Sequence, residues 1–394
     1  MESYKSLFFK HQAQTSQNPL ALEIVFAEGS YIVDKNGKKY LDFVAGVSAN
    51  TLGHNHPKVN EAVKNQVDKY MHVMVYGEFI QQPQVELASL LAKKLPDTLN
   101  CVYLTNSGTE ATEGSLKLAK RVTGRGEIIA AKWAYHGNTQ GAMSVCGAEK
   151  QNSAFRPLIP GVRFIEYNNI DDLSKITNKT AGVILETIQG GAGFIVPKDN
   201  YLAKVKARCD EVGALLILDE IQTGVGRTGK LYGFQHYNVV PHIFVTGKGL
   251  GGGMPIGAFV SSYNFMNLLK NNPKLGHITT FGGHPVIAAA GVATLKEVCE
   301  TNLMEQVSYK EQLIRTLLVH PKIIEIRGAG LMLAAMVESA ELATKIILKC
   351  LENGLILFWL LFDGTAIRIT PPLTISEDEI RKGCYILLQA LDEV

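Results

Sequence analysis

The sequence has no apolar run long enough to cross a bilayer. Its longest, Leu355 to Phe362, falls far short of the ~20 residues that a spanning helix needs. Cysteine is scarce, with six in 394 residues, at positions 101, 146, 209, 299, 350 and 384, and no CxxC pair among them. In a chain of this size that pattern excludes a disulfide framework and reads as reduced thiols. An excess of one charge is also missing. Lys and Arg total 39, Asp and Glu 37, the net charge is +2, and neither sign forms a long run. A basic stripe or arm for nucleic acid is therefore not expected. The segment from Met1 to Leu22 is polar, broken by Gln, Ser and Asn, and holds no apolar signal-peptide core. No internal repeat, low-complexity tract or flexible linker is visible. Together these absences point to a soluble cytoplasmic protein with neither membrane nor nucleic acid as partner.

What is present is apolar residues, 46% of the chain, enough for a large core and more than one domain at about 100–200 residues each. Tyr31–Asp34 and Lys39–Asp42 flank Lys35-Asn36-Gly37-Lys38, a hairpin signal because the turn needs positive φ. Helical stripes run from Pro57 to about Met71 and from Pro83 to about Leu95. Short apolar runs at 101–104, 127–131, 162–165, 182–185, 214–218 and 242–246 read as buried strands, and helical patterns at 109–122 and 199–212 lie between some of them. That alternation predicts an α/β fold, a mostly parallel sheet flanked by helices. After about Pro285 the texture changes. Helical patterns at 286–300 and 303–318 precede strand-like runs near 324–327, 332–337, 355–358 and 366–369, and a helix follows at 376–392. This tail reads as a smaller α+β domain.

Three segments carry chemistry. Asn106-Ser107-Gly108-Thr109-Glu110-Ala111 turns from the strand ending at Leu104 into a helix. Free N–H groups at a helix start, with the helix dipole, favour an anion, and Ser107 and Thr109 add hydroxyl donors. The plainer reading is an N-capping turn. Leu215-Leu216-Ile217-Leu218-Asp219-Glu220-Ile221-Gln222 puts a carboxylate at the carboxyl end of a buried strand, where α/β proteins bind ligands. A buried carboxylate needs a cationic partner. A protonated pyridine nitrogen, a metal ion or a simple helix cap all satisfy that pattern. Ile243-Phe244-Val245-Thr246-Gly247-Lys248-Gly249 places a lysine at the same edge, between glycines that let the chain bend and a ligand approach. Lysine forms Schiff bases, and a desolvated site favours its neutral amine. A surface lysine in a flexible loop is the alternative.

Three other patterns fail. Gly224-Val225-Gly226-Arg227-Thr228-Gly229 matches GxGxxG, but Lys230 to Tyr237 is aromatic and Gly-broken, not an amphipathic helix. Gly247-Lys248 lacks the upstream glycine and the following Ser or Thr of a P-loop. His54-Asn55-His56 has no third ligand pattern, so no metal is expected.

With Tyr135-His136-Gly137 and Thr279-Thr280-Phe281-Gly282-Gly283 added, the ordered set resembles the class III aminotransferases of pyridoxal-phosphate (PLP) fold type I, most of all the acetylornithine/ornithine subgroup. The resemblance runs from Leu41-Asp42-Phe43-Val44-Ala45-Gly46 through Leu52-Gly53-His54-Asn55-His56-Pro57 to Ile367-Arg368-Ile369-Thr370-Pro371-Pro372-Leu373. It implies a large PLP-binding domain over 46–285 and a small domain built from 1–45 and 286–394. It implies that Lys248 is the Schiff-base lysine and proton carrier and that Asp219 pairs with the pyridine nitrogen. Ser107, Gly108 and Thr109 would hold the phosphate, Tyr135 would stack on the ring beside His136, and Gln222 would meet the ring hydroxyl. Thr280 would reach the phosphate of a neighbouring subunit, which makes the expected assembly a homodimer with shared active sites. Arg368 would bind a substrate carboxylate, with Glu186 and Asn138 on the substrate side. The implied reaction moves an amino group from a small-molecule donor, an N-acetyl- or N-succinylornithine of arginine biosynthesis, to a 2-oxo acid such as 2-oxoglutarate.

The sequence departs from the subgroup at three positions. Asn138 stands where an arginine usually follows the aromatic-His-Gly motif. Glu186-Thr187-Ile188-Gln189-Gly190-Gly191 resembles a stretch in which Thr187 is ordinarily proline and Gly191 a glutamate that pairs with the arginine matched by Arg368. These changes keep other donors open: an ω-amine, a diamine or a β-amino acid. An aminomutase and a non-catalytic PLP-binding sensor are the remaining alternatives.

Overall fold

The computed structural model describes residues 2–394. Two small sheets and one large one make up its strands. The amino-terminal strands β1 (Ile24–Glu28), β2 (Tyr31–Asp34) and β3 (Lys39–Asp42) form an antiparallel meander. Its hairpin turns at Gly37, φ +80°, and the Asp34 carboxylate accepts the Asn36 and Lys38 N–H groups. The large sheet contains β4 (Cys101–Thr105), β5 (Glu127–Ala131), β6 (Val162–Ile165), β7 (Thr180–Glu186), β8 (Leu215–Asp219), β9 (Ile243–Gly247) and β10 (Gly257–Ser261). The third sheet contains β11 (Glu325–Ala329), β12 (Met332–Met336), β14 (Phe358–Trp359) and β15 (Ala366–Ile369), while β13 (Leu355–Ile356) joins the first.

The seven-stranded sheet has the order β4-β10-β9-β8-β7-β5-β6. The β6-β5-β7-β8-β9 run is parallel, and β10 is antiparallel to both β9 and β4. The carboxyl ends of β4, β7, β8 and β9 therefore lie at one edge. β7, β8 and β9 are buried along their whole length, as expected for parallel strands covered on both faces. Six of the seven strands fall on the apolar runs read from the sequence. The seventh, β10, does not announce itself: Gly257-Ala258-Phe259-Val260-Ser261 is short and follows a Gly/Pro-rich stretch.

Two further elements depart from the sequence reading. The helix Ala340–Glu352 was not expected, although Ser339 caps it by accepting the Leu342 N–H. The run near 355–358 divides: β13 joins β3 in parallel, Leu355 against Leu41, whereas β14 pairs with β15. The first small sheet thus combines strands from the two ends of the chain. β15 also pairs with β12, setting Arg368 opposite Ala334. No helix among the described residues is long and apolar enough to cross a membrane.

Candidate active site

A cavity of about 860 Å³ opens over the edge where β4, β7, β8 and β9 end. Lys248 follows β9 directly and lines it. Its φ of +41° is a left-handed conformation that non-glycine residues rarely hold, and strain of this kind, about 1–3 kcal/mol, persists where surrounding structure enforces it. The flanking glycines also allow close packing around the lysine. A Cβ on Gly247 would lie 3.0 Å from the Ile256 carbonyl and 3.5 Å from Gly108 Cα, and one on Gly249 would lie 2.3 Å from Thr51 Oγ1. They let the loop press on neighbouring backbone and side chains. Enclosure lowers the basicity of the Lys248 amine, and the nearby Arg368 lowers it further, against the opposing pull of Asp219 and Glu186.

Asp219 ends β8 and is 5% exposed. Its Oδ2 lies 2.7 Å from His136 Nδ1, and its Oδ1 accepts the Ile221 N–H at 2.9 Å. An ionised carboxylate only accepts, so His136 Nδ1 is the donor. His136 Nε2 is buried without a partner.

Ser107 caps the helix Gly108–Thr123 by accepting the Glu110 N–H. The first N–H groups of a helix have no partner within it, and those of Gly108 and Thr109 adjoin the cavity. A Cβ at position 108 would lie 2.6 Å from Ile221 Cδ1, so a side chain there would have to displace the end of Ile221. The two hydroxyls differ. Thr139 Oγ1 donates to Glu113 Oε1 at 2.6 Å and lies 2.8 Å from Thr109 Oγ1. A hydroxyl has one proton, so Thr109 is the donor in that contact. The sequence reading counts both hydroxyls as donors to an anion; here the Thr109 hydroxyl is engaged by Thr139. In this arrangement Ser107 Oγ–H is available, whereas Thr109 presents its backbone N–H.

Gln222 lines the cavity with Nε2 buried and unpartnered. Tyr135 stands at the mouth, 39% exposed. Glu186 ends β7, and its two oxygens accept the Tyr135 N–H at 3.0 Å and the Gly190 N–H at 2.8 Å. Burial pushes this carboxyl up to about 7. Arg368 is 7% exposed, lies over the Phe194 ring at 5.9 Å, and leaves Nε and Nη1 without partners. Burial brings its pKa down to about 10. Asn138 lines the rim. Gly191 is closed to larger residues, since a Cβ would meet Phe362 Cδ2 at 2.8 Å. Thr280 is exposed and does not line the cavity of its own chain. His54, one half of the dismissed His pair, is 2.8 Å from Asp42 Oδ2.

Sequence reading missed several walls of the cavity, among them Leu20, Val47, Ile221, Trp359 and Leu361. Val47 belongs to a left-handed run, Ala45 to Ser48, with φ values of 49°, 59°, 60° and 66°. Nothing in local composition signals that run. Trp359 and Leu361 belong to the longest apolar run in the chain, which reads as plain core until the fold turns part of it toward the cavity.

The sequence profile described as aminotransferase class-III matches residues 12–391. An acetylornithine aminotransferase of Caldanaerobacter subterraneus subsp. tengcongensis is 38% identical, over 98% of this chain and 98% of its own. A LysW-aminoadipate semialdehyde/glutamate semialdehyde transaminase of Sulfolobus acidocaldarius is 38% identical, over 94% of this chain and 95% of its own. The ornithine aminotransferase of Toxoplasma gondii, solved with PLP at partial occupancy in its active site, superposes with a TM-score of 0.92 at 30% identity, covering 99% of this chain and 94% of that one. With the profile spanning nearly the whole chain, the protein belongs to the class III aminotransferases.

Proposed function

We propose that this chain is a PLP-dependent transaminase that moves an amino group from the terminal amine of an N-acylated ornithine to 2-oxoglutarate. The observation that carries the reading is the meeting of Lys248, Asp219 and the unpaired Arg368 guanidinium in one cavity. The relatives named for acetylornithine and for semialdehyde substrates support the donor class.

The residues present fit PLP. An anion site at Gly108 and Thr109, an acceptor at Asp219, an unsatisfied donor at Gln222 Nε2, an aromatic ring at Tyr135 and an amine at Lys248 all border the cavity. When bound, the cofactor supplies an electron sink for the substrate carbon that loses its proton. Ser107 Oγ–H and the N–H groups of Gly108 and Thr109 would hold the phosphate. Asp219 would favour a protonated ring nitrogen, with His136 orienting Asp219. Gln222 Nε2 would serve as donor to the ring hydroxyl, and Tyr135 would pack against the ring. Lys248 Nζ would hold the cofactor at rest and move the proton at the substrate carbon, a task its lowered basicity suits. Glu186 braces Tyr135 and Gly190, and with Asn138 shapes the substrate side. Arg368 receives a substrate carboxylate through paired N–H donors. Thr280, exposed between Ile278 and Phe281, which are 43% and 51% exposed, reaches the phosphate site of a second copy in a cytoplasmic homodimer.

Charge-assisted hydrogen bonds are worth about 1.5–3 kcal/mol each. With two such bonds lost, Arg368→Ala is expected to raise KM for 2-oxoglutarate by about 100-fold or more. Steady-state kinetics with the donor saturating checks this, and an unchanged KM removes Arg368 from the site.

The neutral Asn138 favours a second reading, a donor with a different distal group: an ω-amine, a diamine or a β-amino acid. A panel of amines added to the cofactor-loaded protein separates the two, with bleaching of the cofactor absorbance as the signal. N-acetyl- and N-succinylornithine are expected to react. If they do nothing while simple ω-amines bleach the band, the acylornithine reading is wrong. Isomerisation of the donor without transfer to any 2-oxo acid would instead identify an aminomutase.

A further inference from the structure

The GxGxxG look-alike, Gly224 to Gly229, does not touch the cavity floor, yet it contains the largest fully buried side chain of the described residues, Arg227. Its Nη1 donates to the Leu331 carbonyl at 3.0 Å and to the Pro371 carbonyl. The Arg227 carbonyl in turn accepts the Leu331 N–H at 2.9 Å. Nε and Nη2 have no partner, and burial brings the guanidinium pKa down to about 10. A methionine of similar volume would fill the space without desolvating a charge, but would take this donor from the Leu331 and Pro371 carbonyls.

Those carbonyls flank two strands. Leu331 immediately precedes β12, and Pro371 follows β15, the strand of Arg368, which pairs with β12. At its other end the Arg227 segment begins at Asp219 and passes through Gln222. It is pinned there by the Glu220 carboxylate, which accepts the Thr187 and Thr223 hydroxyls and the Gly233 and Phe234 N–H groups. Two glycines permit this seam, Gly226 in the look-alike and Gly330 on the facing segment. A Cβ on Gly226 would meet Leu373 Cδ1 at 2.7 Å, and one on Gly330 would meet the Arg227 carbonyl oxygen at 2.5 Å.

We propose that Arg227 is a positioning residue: it ties the segment carrying Asp219 and Gln222 to the strand carrying Arg368, and so sets the spacing between the cofactor site and the carboxylate site. The proposal rests on the reading of Arg368 as the carboxylate receptor. It separates from that reading experimentally, because Arg368→Ala tests the receptor alone.

The test uses the full-length enzyme and measures KM for 2-oxoglutarate, kcat, and the dissociation constant of PLP from titration of the apoprotein. Arg227→Met is expected to raise KM about tenfold or more, with kcat and PLP affinity within about threefold of wild type. Arg227→Lys, which keeps a donor, is expected to bring KM back to about threefold above wild type. A merely structural role would weaken PLP affinity in step with KM, and that result overturns the proposal, as does an unchanged KM in Arg227→Met. If Arg227→Met does not fold, Arg227→Lys decides: a selective rise of about threefold in KM supports the proposal, whereas wild-type values or a parallel loss of PLP affinity overturn it. An Arg368→Ala enzyme with a raised KM, beside an Arg227 variant without one, would reject this inference and leave the carboxylate site standing.

Discussion

Replacing Lys248 with alanine is expected to lower kcat by at least about 10⁴-fold, because a positioned acid–base group contributes about 10²–10⁴ by itself and the covalent attachment of the cofactor is lost as well. Lys248 is the one lysine that lines the cavity among the described residues, so no neighbour stands ready to replace it. Alanine keeps the Cβ that lysine already carries, so the left-handed φ at this position is no more strained than before, and the variant is expected to fold. Borohydride reduction of the PLP-loaded protein, followed by peptide mapping, checks attachment directly. Wild type is expected to carry the reduced adduct on Lys248 and the variant none. An adduct that survives on another lysine would move the reaction centre away from the end of β9.

Asp219→Asn has the next largest expected effect, a fall in kcat of about two to three orders of magnitude. Removing one partner of a buried charge pair typically costs ~3–5 kcal/mol, and ~1.4 kcal/mol corresponds to tenfold. The amide has the shape of the carboxylate and still accepts the Ile221 N–H or the His136 Nδ1–H, the two bonds seen at Asp219. What it cannot do is stabilise a proton on the ring nitrogen. The expected signature is therefore selective. PLP remains attached at Lys248 by borohydride trapping, the melting temperature stays near that of wild type, and proton removal from the donor becomes slow in single-turnover experiments. If kcat falls by less than about threefold, Asp219 is a structural acid held by His136, and the ring nitrogen has another partner or none.

Much of this site was legible in the sequence for a simple reason. In a parallel α/β sheet the residues that follow apolar strands collect at one edge. Lys248 after β9, Asp219 at the end of β8 and Ser107-Gly108-Thr109 after β4 each reveal their place through local pattern, whereas Glu186 at the end of β7 entered only through a family resemblance. The resemblance to a known family then supplied roles for them. β10 was less legible, because five residues after a Gly/Pro-rich turn carry little periodicity. Its place between β9 and β4, running opposite to both, follows from pairing rather than from composition.

The sequence by itself determined the fold class, six of the seven strands of the large sheet and much of the group of residues at the sheet edge, because strands, helix starts and strand ends are written in local runs of side chains. Tertiary structure alone decided what those residues touch. It placed His136 behind Asp219, committed the Thr109 hydroxyl to Thr139, filled the space beside Gly191 with Phe362, and left Arg368 without an ion-pair partner among the described residues. It also turned the GxGxxG look-alike from a failed nucleotide motif into a seam held by Arg227. Each of these contacts joins residues far apart in the chain. A proton's direction, or the room for one Cβ, depends on distances that local patterning does not encode.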